Sequence, residues 1–508
     1  MNLVFLYNSQ FADSALIKAF KDSVLTTKPV TGGNVLLRWG NPNGADENAR
    51  VVLNRKQPLK NCLDKEKIFE ILRINRVRRP RFVVPKPDSH YPLIGKYFNS
   101  TNGLPQEKLV TDFSEALNSG ADFFVECINT LKKYNIYLFN LHVFYMTKKV
   151  PVKTNTRKQP LPMWVYEEIP LDLDRDTLKV WQLAQRAVHL LGLDFGEVHA
   201  GIDALGRPVI LDVSPVPFFP PSALELFFEH VMNFIASETT NPAARKESAV
   251  LLGADPEFVL KDTQTAQLAF ASAYLNKHGC LGYDERSERR EGCLFPLAEI
   301  RPKPDPCPIK LTENIRSILG KAVSLIPDHI EWLAGSLHFE KYQIGGHIHF
   351  SNLDLSSRLL QALDNYLAIP IMLIEDPVTS SRRRKYYGWL GSVRIKPHGG
   401  FEYRTPASWL VTPDITRGCL CLAKIVASEY IVLRKDYFID PDLQKAFYQC
   451  KKHYFYDIFK ELWEDISNTT LYAEYARHLV PLTDLISANS HWDEKMDLRK
   501  SWGLLPPV

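Results

Sequence analysis

Apolar and polar positions along the chain alternate in short blocks, and two periods can be read from them, two residues for a strand and 3.6 for a helix. Leu3–Tyr7 is nearly all apolar and predicts an opening strand. Asp13–Ser23 carries a helical stripe, and Asn34–Arg38 reads as a second strand. Asp64–Leu72 predicts a helix, because an aspartate stands at its start and Ile68, Phe69 and Leu72 form a helical stripe. Tyr91–Lys96, Phe123–Cys127, the alternating stretch Asn135–Tyr145 and Met163–Glu167 predict further strands. Asp174–Leu191 is an amphipathic helix, and Phe195–Asp203 with Pro208–Val213 predicts a hairpin turning at Ala204-Leu205-Gly206-Arg207.

The pattern breaks between Ser237 and Ser248, where the chain is polar, contains a proline and has no apolar period. This linker divides the chain into two expected domains, residues 1–240 and 249–508. Strands and helices alternate on both sides of it, which predicts α/β or α+β architecture. From Val411 to the C-terminus the pattern is helical, with an aromatic stripe (Tyr448, Tyr454, Phe455, Tyr456, Phe459) that reads as core or interface.

Length and charge narrow the class. A chain of 508 residues exceeds one ordinary core. Its 62 basic and 58 acidic side chains nearly cancel, leaving a net charge of +4 and no reason to expect a nucleic-acid partner. No apolar run reaches the roughly 18 residues of a membrane span. The N-terminus lacks a basic n-region and is expected not to be a signal peptide. The eight cysteines form no C-x-x-C pair and no zinc spacing with histidine, so they are expected to be reduced thiols of a cytoplasmic protein.

Candidate chemistry is concentrated in the second half. Asp255-Pro256-Glu257, Glu299-Ile300-Arg301, His347-Ile348-His349 and Glu402-Tyr403-Arg404 each put two ionisable residues two positions apart. On a strand that spacing places both on one face. One such pair is ordinarily a surface salt bridge. Four of them, each beside glycine, proline or aromatic residues, predict converging acids that only cations can neutralise. The run Arg382-Arg383-Arg384 precedes Tyr386-Tyr387-Gly388, and Arg394 and Lys396 follow. Guanidinium groups suit phosphate geometry.

In order, these motifs resemble the phage-type carboxylate–amine ligases of the glutamine synthetase-like superfamily, over about residues 250 to 410. The resemblance implies an α+β fold, with a curved antiparallel sheet holding ATP and Mg2+ and helices behind it. It assigns Asp255, Glu257, Glu299, His347 and Glu402 as metal ligands, with His349 as readily a packing or supporting residue. Arg384, Arg394, Lys396 and Arg404 become phosphate or substrate contacts, and Glu299, Arg394 and Arg404 the groups closest to the chemistry. The implied reaction activates a carboxylate as an acyl phosphate and transfers it to an amine. Its substrates would be small molecules or peptides, and superfamily members often assemble into homo-oligomeric rings.

Residues 60 to 220 resemble a divergent ATP-grasp domain. Asp64-Lys65, Tyr91-Pro92-Leu93-Ile94-Gly95-Lys96, Phe123-Phe124-Val125-Glu126 and the hairpin ending Leu211-Asp212-Val213-Ser214-Pro215 carry the likeness. It implies Lys96 as a phosphate contact and Glu126 at the adenine. In the hairpin, however, His199 faces Asp212, so an imidazole stands where the family has an acid, and Ser214 replaces asparagine. Magnesium prefers oxygen ligands, which favours one active ligase site over two. A non-catalytic chain that keeps both folds is the remaining alternative.

Overall fold

The structure is a computed structural model. It describes residues 3–7, 24–26, 35–39, 51–79, 93–98, 105–110, 130–151, 164–171, 174–239, 249–286, 288–289, 293–396 and 399–505. The predicted helix at Asp13–Ser23 and the strand at Phe123–Cys127 lie outside these residues.

The first half opens with four parallel strands, β1 (Leu3–Tyr7), β2 (Val24–Thr26), β3 (Val35–Trp39) and β4 (Val51–Leu53), in the order β2-β1-β3-β4. A hairpin of β5 (Leu93–Phe98) and β6 (Pro105–Val110) follows. A five-stranded antiparallel sheet is then built from β7 (Thr130–Phe139), β8 (His142–Pro151), β9 (Trp164–Glu168), β10 (Phe195–Asp203) and β11 (Pro208–Ser214), in the order β11-β10-β7-β8-β9. The stretch Asn135–Tyr145, expected as one strand, is the β7–β8 hairpin. The chain reverses at Asn140 and Leu141, both in the left-handed region at φ 49° and 65°, as a two-residue hairpin turn of the primed type requires. Asp64 and Asp174 cap the helices Lys65–Ile74 and Arg175–Leu190 by accepting backbone N–H groups of the first turn.

The second half contributes β12 (Leu251–Asp262), β13 (Leu268–Ala269), β14 (Leu281–Tyr283), the short pair β15 (Glu288–Arg289) and β16 (Cys293–Leu294), β17 (Leu297–Ile300), β18 (Ile330–Leu333), the hairpin β19 (Leu337–His338) and β20 (Tyr342–Gln343), β21 (Gly346–Ser351), β22 (Val393–Ile395) and β23 (Phe401–Tyr403). Eight of these form one antiparallel sheet with the central order β14-β17-β12-β21-β23-β22, β13 and β18 both pairing with β12. Alternation along these strands sets two faces. Leu252, Ala254, Phe258, Ala298, Ile300, Ile348, Phe350, Phe401 and Tyr403 enter the main core, and Phe350 stacks on Phe401 at 5.3 Å.

That core also takes in Val180, Val188 and Val198 of the first half. Polar contacts cross with it. His189 meets Asp364 at 2.8 Å, Arg55 pairs with Asp436 at 2.6 Å, and the Gln444 amide donates to the Leu190 carbonyl at 3.0 Å. Asp364 sits in a π-helical turn, Leu363–Ala368, a rare geometry frequent at functional positions. Among the described residues no helix is long and apolar enough to cross a membrane.

Candidate functional site

The register of the second sheet aligns the expected residues on its other face. Asp255 lies opposite His347, Glu257 opposite Glu299, and Glu402 has His349 on one side and Arg394 on the other. Directly opposed residues of an antiparallel pair point the same way. The result is a cleft of about 640 Å³, lined by Asp255, Glu257, Glu299, His347, His349, Arg394, Lys396, Glu402 and Arg404.

Charge is unevenly divided across the cleft. At the β23–β22 end three cations converge on the buried carboxylate of Glu402: Lys396 at 2.5 Å, Arg404 at 2.9 Å and Arg394 at 3.5 Å. At the other end stand Asp255, Glu257 and Glu299. Burial opposes the charge of Asp255, but His347 and His349 outweigh it and hold its carboxyl well below the usual range. For Glu299 the balance is reversed. Burial, then the charge of Asp255, push it up to about 8 despite an ion pair with Arg301 at 2.7 Å.

Metal-binding capacity follows from donor chemistry. One atom each of Asp255, His349 and Glu402 lies within 4.8 Å of the others. Both Glu402 oxygens and the His349 Nε2 are buried without an aligned hydrogen bond, and their contacts are ion pairs with the cleft cations and, for His349, with Asp255 at 3.2 Å, which an ion could replace. Two carboxylates beside acidic neighbours fit a hard divalent cation completed by water and phosphate oxygens. His347 is more committed. Its Nδ1 is 3.0 Å from Asp255 and 3.3 Å from Glu402, and its Nε2 is 2.8 Å from the Tyr387 hydroxyl.

Arg384 is a correction. It was expected at the phosphates, yet its guanidinium is buried against Glu375 at 2.5 Å and stacks over Phe447 at 4.3 Å. Arg383 is likewise internal and donates to the carbonyls of Ile344, Thr405 and Pro406. Arg382 faces solvent beside Glu340. The cations of the cleft come from elsewhere: besides Arg394, Lys396 and Arg404 they are Lys277, Arg286 and Arg301. Arg286 pairs with Asp284 at 2.6 Å and also with Glu257. Arg301 clamps the preceding loop by donating to the carbonyls of Lys277 and Tyr283. Asp284 and Arg286 escaped the sequence reading because they follow β14 without strand alternation. Their only signal is the mixed charge of Asp284-Glu285-Arg286.

In the first half His199 does lie opposite Asp212. The Glu197 carboxylate accepts from the Tyr137 hydroxyl at 3.1 Å and the Phe218 N–H at 3.0 Å, and meets the His199 ring at 2.8 Å. Asp212 pairs with Lys65 at 3.1 Å. Lys96 lies on β5 opposite Glu107, and Glu126 lies outside the described residues.

Three solved structures illustrate what the chain is similar to. The ATP-grasp ligase PsnB with a minimal precursor is 14% identical, covering 47% of this chain and 100% of its own, at a TM-score of 0.33. The D-alanine–D-alanine ligase of Bacillus anthracis is 12% identical over 46% and 93%, at 0.30. The bifunctional glutathione synthetase of Pasteurella multocida is 10% identical over 50% and 48%, at 0.31. No curated protein matches the chain. Residues 252–504, which contain the whole cleft, match the family described as Phage phiEco32-like COOH.NH2 ligase-type 2. Through its second half the chain therefore belongs to the phage-type carboxylate–amine ligases.

Proposed function

We propose that the second half binds ATP and Mg2+ in the cleft and joins a small-molecule or peptide carboxylate to an amine through an acyl phosphate. The observation that carries this reading is the convergence of Arg394, Lys396 and Arg404 on the single carboxylate of Glu402, beside the donor set Asp255–His349–Glu402. Three cations on one acid leave net positive charge, which suits a triphosphate. Arg394, with its side chain 49% exposed, is the cation best placed to meet a phosphate. Asp255, His349 and Glu402 would hold Mg2+, which would supply positive charge to offset that of the phosphates.

The chemistry follows from leaving-group quality. A carboxylate oxygen of the substrate attacks the γ-phosphorus, the bond to ADP breaks, and an acyl phosphate results. The amine then attacks the acyl carbon and phosphate leaves. The amine arrives as an ammonium and must lose a proton. Glu299, pushed up to about 8, is a better matched base for that proton than an ordinary carboxylate. The first half, residues 1–240, is read as an ATP-grasp-like partner that presents substrate. The engagement of Glu197 and Asp212 by protein groups supports that role over a second catalytic centre. Unbridged cysteines, among them the buried Cys62, Cys419 and Cys421, support a cytoplasmic setting.

The test is phosphate release from ATP with magnesium, in pools of amino acids and amines, for wild type and Glu402→Gln. Amine-dependent release by wild type, lost in the variant, is expected. Release that Glu402→Gln leaves unchanged would move the activity out of this cleft.

A further inference from the structure

We infer that Tyr387, which stands behind the cleft wall, is a positioning residue for a divalent cation, acting through His347 on the carboxylates of Asp255 and Glu402. The inference rests on the nucleotide–metal reading above.

Tyr387 follows the helix Pro377–Arg383, and its ring lies among three guanidinium groups, with Arg404 at 5.2 Å, Arg383 at 5.3 Å and Arg286 at 5.4 Å. These contacts fix the ring. The hydroxyl has two partners. Arg404 donates a hydrogen bond to the Tyr387 oxygen, and the His347 Nε2 is 2.8 Å away. The other ring nitrogen, Nδ1, faces the carboxylates of Asp255 and Glu402. Facing two acceptors, Nδ1 carries the proton, so Nε2 accepts the Tyr387 O–H. A directed chain runs from the Arg404 N–H through the Tyr387 hydroxyl and the imidazole to Asp255.

This chain sets the tautomer of His347 and holds Arg404 beside Glu402. A hydroxyl is well suited to the task because it can both donate and accept. Phenylalanine keeps the ring and its guanidinium contacts but removes both hydrogen-bonding roles. It leaves a buried imidazole nitrogen and one guanidinium N–H unpaired. Tyr386, the exposed neighbour, provides the control.

The experiment titrates full-length wild type, Tyr387→Phe and Tyr386→Phe calorimetrically with ADP plus Mg2+ and with ADP in excess chelator, and records Tm for each. Tyr387→Phe is expected to weaken the magnesium-dependent affinity about tenfold, with less than about a twofold change for metal-free ADP. Its Tm should stay within about 5 °C of wild type, and Tyr386→Phe should match wild type throughout. Unchanged magnesium-dependent affinity in Tyr387→Phe overturns the inference. So does an equal loss with and without magnesium, or a larger fall in Tm, since either makes the role structural. If wild type itself binds no nucleotide with magnesium, the nucleotide–metal reading fails and the inference falls with it.

Discussion

Gly345→Ala probes how tightly His347 is held. Gly345 is not in the left-handed region, so an alanine backbone is unstrained there. The obstacle is contact. A Cβ at this position would lie 2.3 Å from the His347 Nε2, 2.9 Å from Cδ2 and 3.0 Å from Cε1. Ordinary van der Waals separation begins at about 3.5 Å, so the ring must shift by about 1 Å. It has nowhere to go, because Nδ1 is held by Asp255 at 3.0 Å and Nε2 by Tyr387 at 2.8 Å. Losing one hydrogen bond to a charged group and one to a neutral group, with some overpacking, costs about 3 kcal/mol. The Glu257 carboxylate accepts from the Gly345 backbone N–H at 2.8 Å. Alanine keeps that N–H and its hydrogen bond, so the cost resides in His347. Urea unfolding of the single variants and of Gly345→Ala/His347→Ala closes a double-mutant cycle. With the imidazole gone, Gly345→Ala should cost less than about 1 kcal/mol, giving a coupling of about 2 kcal/mol. An equal cost in both backgrounds would refute the argument.

Two more predictions concern buried acids outside the cleft. Glu494 accepts from the Ser336 N–H at 2.9 Å and the Trp492 indole at 3.0 Å, and burial pushes its carboxyl up to about 7 from an ordinary 4.5. The folded state therefore holds a proton that the unfolded chain releases, so this contribution is complete below about pH 4.5 and is lost as pH rises through about 7. Relative to Glu494→Gln, wild type should lose up to about 3 kcal/mol across that window; parallel stability–pH curves for the two proteins would show the premise false. Asp364 accepts from the Gly391 N–H at 2.8 Å and the Tyr403 hydroxyl at 2.7 Å, and meets the His189 ring at 2.8 Å. Asp364→Asn turns one acceptor into a donor and should destabilise the fold by about 3 kcal/mol, read as a lower urea midpoint. A midpoint like that of wild type would mean the network carries little of the stability.

The cleft was legible wherever its residues lie on strands. Asp255, Glu257, Glu299, His347 and Glu402 could be assigned to one face because strand period is fixed at two and each was flanked by apolar positions that had to turn inward. The arginine run could not be resolved in this way. Successive residues in the last turn and cap of a helix point about 100° apart, and which of them is buried depends on tertiary neighbours: Glu375 and Phe447 for Arg384, three carbonyls for Arg383. Asp284 and Arg286 reach the cleft from a segment with no periodic pattern. The β7–β8 turn was hidden for a related reason, since leucine at φ 65° gives no turn signal of the kind glycine would.

How the halves meet bears on what the first one does. The main core is continuous across both halves. Arg186 donates to the Leu390 carbonyl at 3.0 Å, and the Tyr448 hydroxyl donates to the Asn75 side chain at 2.8 Å. Most directly, the helix Arg175–Leu190 reaches Asp364 through His189, and Asp364 accepts from Tyr403, the residue after Glu402. One buried carboxylate thus ties a helix of the first half to the strand that carries the acid at the centre of the cation cluster. Severing the chain at the linker would expose apolar surface on both pieces and leave Asp364 short of a partner, which is costly for a buried charge. The first half therefore packs into the support behind β23 through His189 and Asp364, and loss of activity after its removal would report lost support for Glu402 as readily as lost substrate binding.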